Sequence, residues 1–277
     1  MIDLHSHTNA SDGTDTPEQL IANALDLGLE ALAITDHDTF AGYQAALPVA
    51  RDGGLDLVQG IELSTKHNGK TVHLLGYFLH EPPRAGFAAW VTTQLASRRD
   101  RNARLAERLR SLGVDIQLEE VEAIGHSITG RPHFARVLMN KGYVKSTDQA
   151  FREYLGEDAR AYVERDSIGL TEAIDLVQSG GGLAVLAHPI RVHNEWAVME
   201  EMAAHGIDGI EVIHSDHSAA MAERYRAFAI SKGLLITGGS DYHGGNKPDV
   251  RLGTGRDGNV NVPLSVLDNL RRQAVHA

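Results

Sequence analysis

Two histidines, His5 and His7, stand one residue apart in "MIDLHSHTNASDG", and the carboxylate of Asp12 follows. Along a strand, side chains two apart point the same way, so both imidazoles could reach one ion. Alone, such a pair could also be a polar strand edge. The same chemistry recurs, however. "ITDHD" offers His37, "GIELS" offers Glu62, "TVHLLGY" offers His73, "LAHP" offers His188, and "GSDYH" offers Asp241 and His243, again two apart. Any one of them could be a core histidine with a satisfied hydrogen bond. For His73, inside an otherwise apolar run, that is the better expectation when it is taken singly. As a set at successive strand ends they point to metal. The chain has no cysteine, which excludes disulfides, thiolate sites and a cysteine nucleophile. Any metal is therefore held by nitrogen and oxygen, a donor set that suits Mn, Zn or Fe. Nine candidate ligands exceed the roughly four to six that one ion takes. Two or three divalent ions are expected, with Mn, Zn and Fe all suited by the donor set, and Glu62 is the natural bridge. Asp36 and Asp38 flank His37 and read equally well as partners that orient imidazoles or as solvated turn residues.

The elements that must position these residues follow from patterning. "MIDLHSH" reads as a strand. "TPEQLIANALDLG" reads as a helix with Thr16 as N-cap, Pro17 at its first position, Gln19 completing a capping box and Gly28 ending it. "EALAITDHD" is an apolar run closing on polar residues, as in a buried parallel strand. "TFAGYQAALPVARDGG" is helical with Pro48 casting doubt on its middle. "DLVQGIELST" and "KTVHLLGYFL" are strands joined through Asn68-Gly69, a hairpin signal. From about residue 82 to about residue 165 the chain reads as helical and highly charged, and then strands and helices alternate again to the end. Such alternation implies a mostly parallel sheet with helical crossovers. In parallel barrels the working face lies at the C-terminal strand ends, where nearly every candidate falls.

In order, "DLHSHTNASDG", "ITDHDT", "GIELS", "VHLLGY", "LAHP" and "GSDYHG" resemble the successive motifs of the PHP (polymerase and histidinol phosphatase) family. The resemblance covers about residues 1–80 and 166–250. It implies an α/β fold: a distorted seven-stranded (β/α) barrel with up to three metals at its C-terminal face. It implies a barrel formed by residues 1–82 and 166–277 and a helical insertion, a cap, over residues 83–165. Carried over motif by motif, the metal ligands would be His5, His7, Asp12, His37, Glu62, His73, His188, Asp241 and His243. The implied activity is that of a metal-dependent phosphoesterase. Divalent ions lower the pKa of water and clamp phosphoryl oxygens, so a metal-activated hydroxide would attack phosphorus, with Glu62, Asp12 and His243 as the catalytic group. The stand-alone members with an insertion are similar to nucleotide phosphatases, above all those taking the 3′-phosphate from a nucleoside 3′,5′-bisphosphate. A 5′-3′ exonuclease on short RNA and a histidinol-phosphate-type phosphatase are alternatives. A non-catalytic metal-binding module is the alternative of a different class.

Specificity is expected from the insertion. "SRRDRN" carries Arg98, Arg99 and Arg101, and "HSITGRPHFAR" carries Ser127, Arg131 and His133. Arginine forks suit phosphate, and Arg131 and His133 sit at a helix start that favours anions. Arg99, Ser127, Arg131 and His133 are the candidate substrate contacts, whereas Arg98 is expected on a solvated helix face. His193, His214 and His217 are expected on surface loops. The net charge of −11 argues against a long nucleic-acid partner. No stretch suits a membrane span or a leader. The expectation is a cytoplasmic enzyme acting on a small phosphorylated nucleotide, with no obligate protein partner evident.

Overall fold

The computed structural model describes residues 1–125 and 129–275. Seven strands lie in chain order: β1 (Ile2–Asp3), β2 (Ala31–Ile34), β3 (Asp56–His67), β4 (Lys70–Phe78), β5 (Leu183–Leu186), β6 (Gly209–His214) and β7 (Leu235–Gly239). Neighbouring strands pair in parallel except at β3–β4 and β4–β5, so only β4 runs against the rest. The sheet curls until its edges meet. Leu4 N–H donates to Gly238 O at 3.2 Å, Asp241 N–H to His5 O at 2.9 Å and His7 N–H to Tyr242 O at 2.9 Å. The first strand proper is shorter than the pattern suggests, yet the extended backbone beyond it keeps the ladder going through His5 and His7.

Local chemistry accounts for the elements around this barrel. Helix α1 (Pro17–Asp26) carries the expected capping box. Thr16 Oγ1 accepts from Gln19 N–H at 3.2 Å, and Gln19 Oε1 accepts from Thr16 N–H at 2.9 Å. Helix α2 (Ala41–Gly53) runs unbroken through Pro48. Gln44, whose carbonyl the proline leaves without an in-helix donor, is exposed, as is Pro48, so water can take that bond and soften the cost. The β3–β4 hairpin turns at Asn68 and Gly69, with φ of 49° and 77°, the positive pair that a two-residue primed turn requires.

Apolar side chains fill the barrel away from the polar mouth: Ile2, Leu4, Leu75, Leu183 and Val185 pack with Leu267 and Leu270 of α10 (Leu264–Ala274). Between β4 and α7 (Leu170–Ser179) come α3 (Ala85–Ser111), α4 (Leu118–Gly125), α5 (Arg131–Asn140) and α6 (Thr147–Ala150). Leu105, Leu109, Ile116, Val121, Phe134, Leu138 and Leu155 form a separate apolar core there. Helix α3 serves both bodies, because Phe87 and Val91 in its first half pack with Phe40 and Phe78 against the barrel. The division therefore passes through α3 rather than ahead of it. Beyond α7, α8 (Glu195–His205) and α9 (Ala219–Lys232) complete the outer layer. Among the described residues, no helix is long and apolar enough to cross a membrane.

Candidate metal centre

Strand ends bring the candidate ligands to one mouth. His5 and His7 follow β1 and Asp12 lies in the next loop. His37 follows β2 and bridges in register to Glu62 on β3, with Asp38 N–H donating to Glu62 O at 3.0 Å. His73 belongs to the inverted strand β4 and pairs opposite Ser64. Because β4 runs backwards, its N-terminal half lies at the mouth, so His73 meets the others there and is not a core histidine. His188 follows β5 with a φ of 27°, and Asp241 follows β7 with a φ of 56°. A positive φ on residues other than glycine costs roughly 1–3 kcal/mol and gathers at functional sites.

Glu62 is the hub. Its Oε1 lies 2.9 Å from His188 Nε2 and 2.9 Å from His73 Nδ1. Its Oε2 lies 3.2 Å from His7 Nε2, 3.3 Å from His37 Nδ1 and 3.4 Å from His5 Nε2. Asp241 Oδ1 sits 3.4–3.5 Å from His5, His7 and His243. Asp12 reaches His243 Nε2 at 3.3 Å and His37 Nε2 at 3.7 Å. All nine residues therefore converge. Four groupings among them place donor atoms close enough together to share an ion: His7–Asp12–His37–His243, His5–His7–Asp241, His5–Glu62–His188 and His37–Glu62–His73.

The donor set fits divalent cations on evidence from the protein alone. Buried ring nitrogens His5 Nε2, His7 Nε2, His37 Nδ1, His73 Nδ1 and His188 Nδ1 have no hydrogen-bond partner among the described residues. Each unmade bond of this kind costs about 1–3 kcal/mol, and a shared cation would satisfy several at once. Protonation also suits ligation, which takes neutral imidazole and ionised carboxylate. Burial pushes His37 and His188 down to about 3, against the pull of Glu62. Burial opposes ionisation of Glu62, but His37, His73 and His5 around it hold its carboxyl well below the usual range. His7 behaves oppositely: burial disfavours its charge, yet Asp241 and Glu62 lift it to about 9.

Sequence reasoning missed a layer behind these residues. Glu211 on β6 accepts from His5 Nδ1 at 2.9 Å and from His188 N–H at 2.7 Å. It fixes the proton of His5 on Nδ1 and leaves Nε2 facing Glu62. Replacing Glu211 by Gln is expected to weaken metal affinity about 10–100-fold, read by titration with a metal indicator. An unchanged affinity would remove Glu211 from the site. His214 and His217 are buried, not on the surface loops expected for them. His214 Nδ1 accepts from Asp216 N–H at 3.0 Å, so its proton lies on Nε2, which points to Asp241 Oδ2 at 3.3 Å. It supports Asp241 and offers no lone pair there. Asp36 and Asp38 are buried, and among the described residues neither hydrogen-bonds an imidazole directly. Asp36 accepts from Thr8 and Ser11, while Asp38 accepts from Arg98 Nε and Arg165 Nη1, each at 2.8 Å.

The mouth opens into a cavity of about 350 Å³ that the insertion also lines, with Arg131 and His133 among its residues. Two expectations about that side fail. Arg99 projects from α3 into solvent, its side chain 75% exposed and paired with Glu122 at 3.0 Å, and is no part of the cavity. Arg98, expected on a solvated face, is the buried one, and Arg101 is buried beside it. Helical phase explains both: positions 98, 101, 102, 105 and 109 share the buried stripe of α3, and 99 falls outside it. Ser127 lies outside the described residues.

A family model for the PHP domain matches residues 3–165. A 5′-3′ exoribonuclease of Escherichia coli is 36% identical over 87% of this chain and 84% of its own. A 3′,5′-nucleoside bisphosphate phosphatase of Chromobacterium violaceum is 31% identical over 87% of each. A solved structure from Bifidobacterium adolescentis, provisionally described as a metal-dependent phosphoesterase, superposes with a TM-score of 0.86 at 32% identity, covering 98% of this chain and 96% of its own.

Proposed function

This chain belongs to the PHP domain family and is a metal-dependent phosphoesterase; on that footing we propose that it removes the 3′-phosphate of a nucleoside 3′,5′-bisphosphate. One observation carries the choice of substrate: a single cavity is lined both by the imidazole–carboxylate cluster and by arginines of the insertion. A molecule bearing phosphate at both ends suits it. Histidinol phosphate, with a cationic amine where the second phosphate would be, meets like charge there. The relative named as a nucleoside bisphosphate phosphatase supports the assignment. We place this activity in the cytoplasm, where such nucleotides are met.

His5, His7, Asp12, His37, Glu62, His73, His188, Asp241 and His243 would hold two or three divalent ions, Mn first among the candidates. When bound, such ions supply an activated water and neutralise the phosphoryl charge. The chain's own residues orient and select. Glu62 turns its two oxygens toward five imidazoles and hydrogen-bonds one of them, His188 Nε2, at 2.9 Å. His243 donates its Nδ1 proton to Asp241 O at 2.9 Å, leaving Nε2 toward Asp12, and we assign this pair to the neighbourhood of the leaving oxygen. Arg131 lies over the rings of Phe151 and Tyr162 at 5.8 Å from each centroid, contacts that hold its guanidinium at the cavity wall, where a second phosphate would meet it. His133 accepts from Gly130 N–H at 3.0 Å and lines the same wall.

A substrate panel with Mn-loaded protein tests this. We expect a 3′,5′-bisphosphate to be preferred over a 5′-monophosphate by at least about tenfold, one charged contact being about 1.5–3 kcal/mol. The preference should be lost on Arg131→Ala. Equal rates on both would refute the substrate assignment. Faster turnover of a 5′-phosphorylated short RNA would favour the exonuclease activity for which the Escherichia coli relative is named.

A further inference from the structure

Asp241 turns its two oxygens to different company. Oδ1 sits 3.4–3.5 Å from the imidazoles of His5, His7 and His243. Oδ2 instead meets three donors: Lys247 Nζ at 2.6 Å, Arg191 Nη1 at 3.2 Å and His214 Nε2 at 3.3 Å. Arg191 has a second carboxylate, Asp216, which accepts from its Nε at 2.7 Å. Lys247 has none: among the described residues, Asp241 is the one partner of its Nζ. An ammonium carries three N–H donors, so two stay unspent. The side chain is 23% exposed and lines the cavity together with Asn246 and His243. Its loop is tied down, since Asn246 Nδ2 donates to Asp12 O at 2.7 Å and Gly245 N–H to Thr14 Oγ1 at 2.8 Å. Once Asp241 serves as a metal ligand, its charge is shared with the ions. Lys247 is then a partly buried cation without a carboxylate of its own, a costly state unless an anion joins it.

We propose that Lys247 donates to a non-bridging oxygen of the phosphoryl group being hydrolysed, and that it thereby selects phosphomonoesters over phosphodiesters. A monoester carries close to two negative charges and three oxygens free to accept. A diester carries one charge and has two such oxygens. A fixed ammonium aimed at the phosphoryl group stabilises the more highly charged ester more. Asp241 is the anchor: its Oδ2 holds the ammonium beside the cluster while Oδ1 faces the imidazoles. Lys247 belongs to the loop after β7 and not to the insertion, so it acts on the reacting phosphoryl group rather than on a second phosphate. The inference rests on the phosphomonoester reading for the substrate, whereas the contact itself would serve any phosphate that reaches the cluster.

Three measurements on wild type, Lys247→Met and Lys247→Arg test it: Mn affinity by indicator titration, inorganic phosphate affinity of the Mn-loaded protein by calorimetry, and turnover of p-nitrophenyl phosphate against bis(p-nitrophenyl) phosphate. Lys247→Met should weaken phosphate binding about 10–100-fold, the worth of one charge-assisted contact. It should lower kcat/KM for the monoester by a similar factor and for the diester by much less. Lys247→Arg keeps the charge and should recover most of both, which also guards against a methionine variant that fails to fold. Mn affinity should stay the same or rise in Lys247→Met, because a cation that repels the ions has been removed. Weaker Mn binding in Lys247→Met, with equal losses on both esters, would mean that the lysine acts only through Asp241 and overturns the contact. So does a phosphate affinity that is undetectable in the wild type or equal in all three proteins, even if a bisphosphate preference stands. The binding measurement decides where diester turnover is too slow to detect. A wild type that favours the diester, yet loses phosphate affinity on Lys247→Met, keeps the lysine's contact and refutes the phosphomonoester reading instead.

Discussion

Glu62→Gln is expected to lower phosphoesterase turnover by about a thousandfold, the order of loss when one preorganised electrostatic group is removed from an active site, and to lower bound metal measured by mass spectrometry. The reason is the crowding around the carboxylate. Both oxygens face imidazole nitrogens within 3.4 Å, so neither can be exchanged for an NH₂ without aiming a donor at a lone pair needed for ligation. The amide is nearly the same size, so the core around it has no cavity to collapse into. Circular dichroism should show the fold retained, which separates loss of site from loss of structure. Glu211→Gln, one step further out, should cost far less. A Glu62→Gln protein with full metal content and more than about a tenth of wild-type activity would show that Glu62 does not organise the site.

The site was legible in sequence where backbone periodicity is regular and opaque where it is not. His5 and His7, or Asp241 and His243, can be paired by counting in twos. Glu211 and His214 cannot. They are three apart, and a register shift against β7 between Glu211 and Ile213 lets both face His5. Counting in twos puts them on opposite faces. One clue was available: "GIEVI" repeats the pattern of "GIELS", a carboxylate inside an apolar run, which is costly unless the carboxylate is engaged. The inversion of β4 was half visible, since Asn68-Gly69 announced the hairpin. Its consequence, that a mid-strand histidine then belongs to the mouth, needed the pairing on both sides. On α3 the information was present and unused. Leu105 and Leu109 fix the buried stripe, and extending it by whole turns reaches Arg101, Asn102 and Arg98 rather than Arg99. What was beyond reach was Arg165, which reaches Asp38 across 127 residues of sequence.

That last contact supports the second large effect. Asp38→Ala is expected to destabilise the protein by about 3–5 kcal/mol, because it leaves the guanidiniums of Arg98 and Arg165 buried without their shared carboxylate. For a chain of this size that amounts to a fall in Tm of roughly 10 °C. The dependence on pH has a definite sign. Burial alone would raise the Asp38 carboxyl, but Arg98 and Arg165 hold it well below the usual range. Its contribution is therefore complete above the unfolded value of about 3.9 and is lost only as pH falls through the lower folded value. Between pH 5 and pH 9 the Tm difference between wild type and Asp38→Ala should stay constant. A difference under about 2 °C, or one that changes across that range, would refute the pairing as the source. Replacing all three groups with apolar side chains, in Asp38→Leu, Arg98→Met, Arg165→Met, should recover much of the loss, since no charge is then left buried alone. It should not recover activity. Asp38 ties Arg98 of α3 and Arg165 at the end of the insertion to the loop carrying His37, and Arg98 and Arg165 face the cavity. The same three charges that join the insertion to the barrel therefore also shape the wall that a substrate meets.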